Sequence, residues 1–359
     1  MRIGIVCPYS LSLPGGVQGQ VLALARALRH KGEDARVLGP CDGPPPDAGV
    51  TPLGNCLPTA ANGSIAPIAP DPAAQLRTIR ALRDEAFDVL HLHEPLAPGP
   101  TVTTMLLKPA PIVATFHAAG GSRAYDLVPG VRWLARRIDI RYAVSDDARK
   151  MAADALRGEY RVVFNGIEID RIQAVPPWPS SHPTIFFIGR HEPRKGLDVL
   201  LDALTHLPSD VRLWVGGDGP ETDRLRAKMA GDPRVEWLGR ISDEEKMARL
   251  RGADVFCAPS LRGESFGIVL LEAMAADTAV VASDIDGYRN VARPGLDAEM
   301  VPSGDALALA AALEKVLRDP VRAGALVRSG RARAESMAMT RLADVYLAAY
   351  HEVLARSRS

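Results

Sequence analysis

Short uninterrupted apolar runs recur along this chain, each followed by a longer stretch in which apolar positions return every three or four residues. In the first half the runs are RIGIVCP (2–8), ARVLGP (35–40), DVLHLH (88–93) and PIVATFH (111–117), with a helix predicted over about 17–31 and another over 73–85. Runs that are apolar on both faces and are separated by amphipathic helices predict parallel strands covered on both sides. After Val175-Pro176-Pro177-Trp178-Pro179 the alternation begins again with TIFFIGR (184–190), VRLWVGG (211–217), ADVFCAPS (253–260) and AVVASD (279–284). Proline clustering resists both helix and central strand, so this stretch is read as a linker. The expected fold class is α/β: two Rossmann-like doubly wound domains, 1–174 and 175–339, facing across a cleft. An amphipathic helix over 342–355 predicts that residues 340–359 pack back on the first domain.

Length agrees with two domains, since 359 residues exceed what one core usually serves. Forty-three basic residues balance forty-three acidic ones, which disfavours a nucleic-acid partner. The four cysteines, Cys7, Cys41, Cys56 and Cys257, form no C-x-x-C pair, so neither a disulfide framework nor a zinc site is expected and a reducing cytoplasm fits. No window approaches the roughly 20 apolar residues of a membrane span, and the opening run is too short for a signal peptide. Any membrane contact is expected to be peripheral.

In doubly wound sheets ligands bind beyond the carboxyl ends of the strands, and polar residues gather there: His93, Glu94, His117, Arg190 and Glu264. The sharpest signal is Glu264-Ser265-Phe266-Gly267-Ile268 running on to Glu272, two carboxylates flanking a predicted helix start. The amides and dipole of such a start suit a diphosphate, with one carboxylate placed for hexose hydroxyls and the other for ribose. A capping carboxylate and a solvated helical Glu are the plainer alternative. Arg190, Arg194 and Lys195 precede the next helix, where cations oppose the dipole unless an anion joins them. Gly15 and Gly16 open the first helix but lack the G-x-G-x-x-G spacing of a dinucleotide site. Asp284-Ile285-Asp286 resembles a metal-binding D-x-D but has no further ligands nearby, and Gly216-Gly217-Asp218-Gly219 reads as a tight turn. No metal or cofactor is expected.

Taken together, GGVQ after the first strand, TFH, GRHEPRKG, LGRISDEEK and the E-x₇-E pair resemble the retaining GT-B glycosyltransferases of family 4. The opening MRIGIVCPYS, DVLHLHEPLAP and GESFGIVLLEAMAADTAVVASD are most similar to its actinobacterial phosphatidylinositol α-mannosyltransferase branch. The resemblance implies that Gly16 closes over a nucleotide sugar while Arg190, Arg194 and Lys195 hold the diphosphate. It assigns Glu264 to the mannose, the backbone of Phe266, Gly267 and Ile268 to the phosphates, Ser265 to the same donor site, Ile241, Ser242, Asp243 and Lys246 to guanine, and Glu272 to ribose. His117 would lie beside the reacting carbon, as catalytic residue with Glu264. Tyr9, Gln18, Asn62 and Gly63 match acceptor positions. The branch has an arginine where this chain has Ala66-Pro67-Ile68, and Arg123 is the candidate to replace it.

The implied function is metal-independent transfer of mannose from GDP-mannose to the inositol ring of phosphatidylinositol, at the inner face of the cell membrane. Peripheral attachment to an anionic surface would draw on Arg77, Arg80, Arg83, Arg123, Arg132, Arg136, Arg137 and Arg141, the last four forming with Trp133 a basic amphipathic stretch. Alternatives are a UDP-sugar enzyme acting on a soluble acceptor such as inositol phosphate, a non-catalytic nucleotide-sugar-binding protein, and a dinucleotide oxidoreductase.

Overall fold

A computed structural model describes residues 1–13, 15–61, 64–117, 130–264 and 266–358, so Asn62, Gly63, Arg123 and Ser265 lie outside the described residues. The chain divides into two compact units, residues 1–166 with 339–359, and residues 167–338.

The first unit is built on a seven-stranded parallel sheet. Its strands are β1 (Arg2–Val6), β2 (Asp34–Gly39), β3 (Val50–Pro52), β6 (Val89–His93), β7 (Ile112–Phe116), β8 (Ile140–Ala143) and β9 (Arg161–Val162), in the order β3-β2-β1-β6-β7-β8-β9. Between β3 and β6 the chain forms an antiparallel hairpin of β4 (Leu57–Ala61) and β5 (Ser64–Ile68). Every residue of β6 and β7 is buried, as strands covered on both faces require. The helix Pro72–Glu85 begins where Asp71 accepts the Ala74 N–H at 3.0 Å and Pro72 occupies its first turn. The C-terminal helix Met339–Arg358 packs against the helix Gly16–His30 and touches β7, burying Tyr346 and Tyr350 almost completely.

The second unit has a six-stranded parallel sheet of β10 (Thr184–Ile188), β11 (Arg212–Gly216), β12 (Val235–Gly239), β13 (Val255–Ala258), β14 (Ala279–Ser283) and β15 (Glu299–Val301), ordered β12-β11-β10-β13-β14-β15. In both sheets the strand order reverses once, beside β1 and β6 in the first and beside β10 and β13 in the second. That reversal leaves an open crevice at the carboxyl ends, where neighbouring connections leave in opposite directions.

Two sequence expectations need correction. The chain divides at Gly166/Ile167, not at 174/175, because Ile167, Ile169 and Ile172 belong to the core of the second unit. The proline-rich stretch is no linker either. The Trp178 N–H donates to the Ala248 carbonyl at 2.8 Å, and Arg251 donates to the carbonyls of Gln173, at 2.9 Å, and Val175. The Arg249 guanidinium lies between the Trp178 and Trp214 rings, 4.1 and 4.6 Å from their centres. The basic amphipathic stretch falls on two elements: a short helix Val131–Ala135 is followed by β8, whose Arg141 donates to the carbonyls of Arg157 and Ala135 at 2.7 Å each.

Candidate active site

Each unit carries its polar cluster at the strand ends beside the reversal. In the second, β10 runs into Gly189 and Arg190, then a single 3-10 turn, Pro193–Lys195. Gly196 closes that turn with φ 67°, and a Cβ there would come within 1.9 Å of the Pro259 carbonyl oxygen. Only glycine lets this loop press against the loop after β13, and the pressing brings Lys195 to Glu264. Lys195 Nζ lies 2.6 Å from Glu264 Oε1, Arg194 Nη1 lies 3.5 Å from the same oxygen, and Ser260 Oγ donates to it at 3.1 Å. All these bonds converge on Oε1, and Oε2 has no partner among the described residues.

Glu264 is held from behind as well. Its carbonyl oxygen would stand 1.9 Å from a Cβ at position 287, so Gly287 is what admits it. The Tyr288 hydroxyl donates to Ser260 Oγ at 2.8 Å. Burial, reinforced by the Glu264 charge, raises the Tyr288 pKa, so that phenol keeps its proton. Glu192 clasps two of the expected cations, with Arg190 Nε at 2.8 Å and Arg194 Nε at 2.9 Å from its carboxylate.

Glu272, on the helix Ile268–Ala275, repeats the pattern. Lys246 Nζ donates to its Oε1 at 2.9 Å, and Oε2 has no partner among the described residues. Burial pushes the Lys246 ammonium down, but the carboxylates of Glu272 and Asp243 more than reverse this and its pKa is raised, so the pair is ionic. Two carboxylates each neutralised on one oxygen by a lysine, with the other oxygen free, are suited to accept hydroxyl hydrogens. Between them the helix starts at Gly267, φ 84°, which has no side chain to cap it, and its first turn holds no acid. Phe266 turns its ring into the core, while Ile268 opens the helix. Ser242 is spent as an N-cap, accepting the Glu245 N–H at 3.1 Å, and Ile241 packs beside the core. Asp284 pairs with Arg289 through both carboxylate oxygens, at 2.6 Å each, which is the behaviour of a structural loop.

In the first unit β6 ends at His93 and β7 runs directly into His117. His93 Nδ1 and His117 Nε2 lie 2.8 Å apart, with the rings stacked. Glu94 adopts φ 46°, uncommon for a residue with a side chain, and its Oε1 accepts the His117 backbone N–H at 2.6 Å. Burial lowers the His117 pKa to about 4 and holds that of His93 well below its ordinary value, so both rings are neutral at pH 7 and share one proton across their contact. His93 Nε2 is buried and has no partner among the described residues. An orphaned buried N–H is rarer than an orphaned acceptor, so the His93 proton belongs on Nδ1. His93 therefore donates, His117 accepts at Nε2, and His117 carries its own proton on Nδ1.

Behind this pair, His91 joins the Tyr350 hydroxyl at 2.7 Å and Thr115 Oγ1 at 2.8 Å. Gly16 begins its helix, and a Cβ there would meet nothing within 4 Å. Gln18 turns inward, donating to the Ser10 carbonyl at 3.3 Å, and Tyr9 bridges to Ile68 of β5.

The geometry therefore gathers Arg194, Lys195 and Glu264 in one cluster, Lys246 and Glu272 in a second and His117 in a third. Glu192, Ser260 and Tyr288 were not foreseen as site residues, and Glu94 was placed at the strand ends without a role.

Comparison with known proteins agrees. Residues 14–171 match the model for Glycosyltransferase Family 4 and residues 168–333 that for Glycosyl transferases group 1, the two matches meeting close to the division between the units. The phosphatidyl-myo-inositol mannosyltransferase of Mycobacterium leprae is 43% identical over 344 residues, 92% of this chain and 91% of the relative. That of Mycolicibacterium smegmatis is 42% identical, covering 92% and 88%. Among solved structures, a sucrose-phosphate synthase from Thermosynechococcus elongatus superposes with TM-score 0.73 over 99% of both chains at 19% identity. Anabaena HepE in complex with UDP-glucose gives 0.72 over 97% of this chain and all of the other, also at 19% identity. The fold is GT-B, and the chain is a glycosyltransferase that belongs to the phosphatidyl-myo-inositol mannosyltransferase family.

Proposed function

We propose that this protein transfers mannose, with retention of configuration, from GDP-mannose to the inositol ring of phosphatidylinositol, working as a peripheral protein at the cytoplasmic face of the cell membrane. The observation that carries the reading is the convergence of Lys195 and Arg194 on one oxygen of Glu264 at an uncapped helix start. A diphosphate entering there takes up the two cations and the helix amides, and Glu264, relieved of them, turns its carboxylate to the hexose hydroxyls. Glu272 receives the ribose hydroxyls, with Lys246 fixing its second oxygen. As the sugar–phosphate bond breaks, charge grows on the diphosphate and the same cations bind it more tightly than in the ground state. The inositol hydroxyl attacks from the face the diphosphate leaves, and a departing phosphate oxygen takes its proton. The family resemblance assigns His117 to the same step.

Support for the lipid acceptor is the extent of the family likeness, which covers both units. Among the described residues no helix is long and apolar enough to cross a membrane, which agrees with peripheral attachment. Incubation with GDP-mannose and detergent-dispersed phosphatidylinositol is expected to give a lipid heavier by one hexose whose sugar α-mannosidase removes. A product resistant to that enzyme, or mannose found only on free inositol phosphate, overturns the reading.

A further inference from the structure

If transfer runs as proposed above, with His117 taking part, the His117 ring must be held closely, because a misplacement of about 1 Å can cost ~100-fold in rate. His93 fixes one point of it, donating from Nδ1 to Nε2 at 2.8 Å. A single contact lets the ring pivot. The backbone of His117 lies past the end of β7, and the last register pair of the ladder with β6 is His93 with Thr115.

Glu94 supplies the second point. An extended residue after His93 would send its side chain to the opposite face of the sheet. Glu94 instead leaves the strand with φ 46°, in the left-handed region that a side chain disfavours. In this conformation it grips the end of β7 twice: its N–H donates to the Thr115 carbonyl at 2.9 Å, and its Oε1 accepts the His117 N–H at 2.6 Å. The Ala97 N–H closes the turn on the Glu94 carbonyl at 3.0 Å. Glycine would meet the needs of such a turn more readily. What glutamate adds is a carboxylate, 6% exposed, placed on an amide that lies past the ladder, where a charge-assisted bond holds it.

The same carboxylate acts on Tyr9, whose phenol is held above its ordinary range by burial first and by the Glu94 charge second. Glu94 therefore lies close to two of the first unit's candidate site residues. We propose that Glu94 is a positioning residue for transfer: with His93 it clamps His117 at ring and backbone, and so aims the remaining Nδ1–H of His117 at a substrate oxygen.

Glu94→Gly removes the carboxylate while easing the backbone, and Glu94→Gln keeps an oxygen for the His117 N–H. Both are compared with the parent chain in transfer from GDP-mannose to detergent-dispersed phosphatidylinositol. The His117 amide is followed in ¹⁵N-histidine-labelled protein, its signal identified by its absence from His117→Gln. Glu94→Gly is expected to keep the parent's circular dichroism and to lower kcat by at least ~30-fold, with KM for GDP-mannose within about 2-fold. Glu94→Gln should return kcat to within about 5-fold of the parent. The His117 amide proton, shifted downfield in the parent by its short bond to a carboxylate, should move upfield in Glu94→Gly. Parent-like kcat in Glu94→Gly, a fall in kcat with the His117 amide unmoved, equal losses in the two variants, or a loss expressed only in KM overturns the clamp and leaves the function standing. A Glu94→Gly chain that fails to fold makes the residue structural and overturns it too. No transfer by the parent chain overturns the function and this proposal with it.

Discussion

A carboxylate with one oxygen tied to lysine and the other free occurs twice in the second unit, at Glu264 and Glu272. On the proposed reading, removing Glu264 leaves Lys195 and Arg194 in place but takes away the group that would meet the hexose, and removing Lys195 would take a cation from the leaving diphosphate. Glu264→Gln and Lys195→Ala are each expected to lower kcat/KM by ~100-fold or more with folding intact by circular dichroism, and near-parent turnover in either would refute the donor-site assignment. In the first unit the proton placement argued for His93 gives a separate expectation. Asparagine can present an N–H where the imidazole Nδ1 stood, whereas phenylalanine keeps the bulk and loses the donor. We expect His93→Phe to lower kcat by ~10-fold with little change in KM for the donor, and His93→Asn to recover most of it. In ¹⁵N spectra of the parent chain, His117 should show a protonated Nδ1 and a bare Nε2. The reverse tautomer would contradict the network. The E-x₇-E pair and the strand-end His117 were legible because their spacing against the strands is local. Ser260, Tyr288 and Glu192 were not, since what they do is support other side chains across loops that meet only in the folded chain.

At the scale of elements, the strands most easily read were those buried on both faces, β6, β7 and β14, because a short, mostly apolar run is too brief for a helix and too apolar for a loop. Misreadings arose where a tertiary contact overrides composition. Prolines around Trp178 suggested a linker, but the indole stacks on Arg249, which is distant in sequence and lies in a helix of the same unit. Arg249→Ala breaks both ring contacts, and a desolvated cation–π pair is worth about 2 kcal/mol, so the second unit should lose about 2 kcal/mol or more against urea. An unchanged midpoint would return the segment to the role of a linker. Arginines around 132–141 masked the alternation of Ile140 and Tyr142, which is what makes β8. The junction of β6, β7 and the C-terminal helix holds His91, His93 and His117, all kept neutral chiefly by burial, His91 with its pKa lowered to about 3. Their ordinary value is 6.5, so below it the unfolded chain binds more protons than the folded one. Stability of the first unit should therefore fall as pH drops from about 6.5 toward 4, with His91→Gln flattening the slope. A first unit equally stable at pH values of about 7 and about 4.5 would contradict the buried neutral cluster.

For the molecule as a whole, balanced charge means that attraction to an anionic surface must come from a local patch, and the donor diphosphate must be neutralised by the second unit's own cations. On the proposed reading Arg194, Lys195 and a helix start supply that charge, so full activity is expected in EDTA, whereas activity restored only by added Mn²⁺ would reopen the Asp284 loop. The two-domain organisation was legible as a repeat of one strand–helix pattern, but the site of division was not, because the core that claims Ile167 to Ile172 is assembled from distant strands. The central claim is that the second unit activates a GDP-sugar for an inositol lipid. It is tested most directly by measuring nucleotide release from GDP-mannose and UDP-glucose, with and without phosphatidylinositol, in the parent chain and in Glu264→Gln. The account predicts GDP release that depends on phosphatidylinositol and is nearly abolished in the variant. Release of UDP in preference to GDP, or release indifferent to both phosphatidylinositol and Glu264, would contradict it.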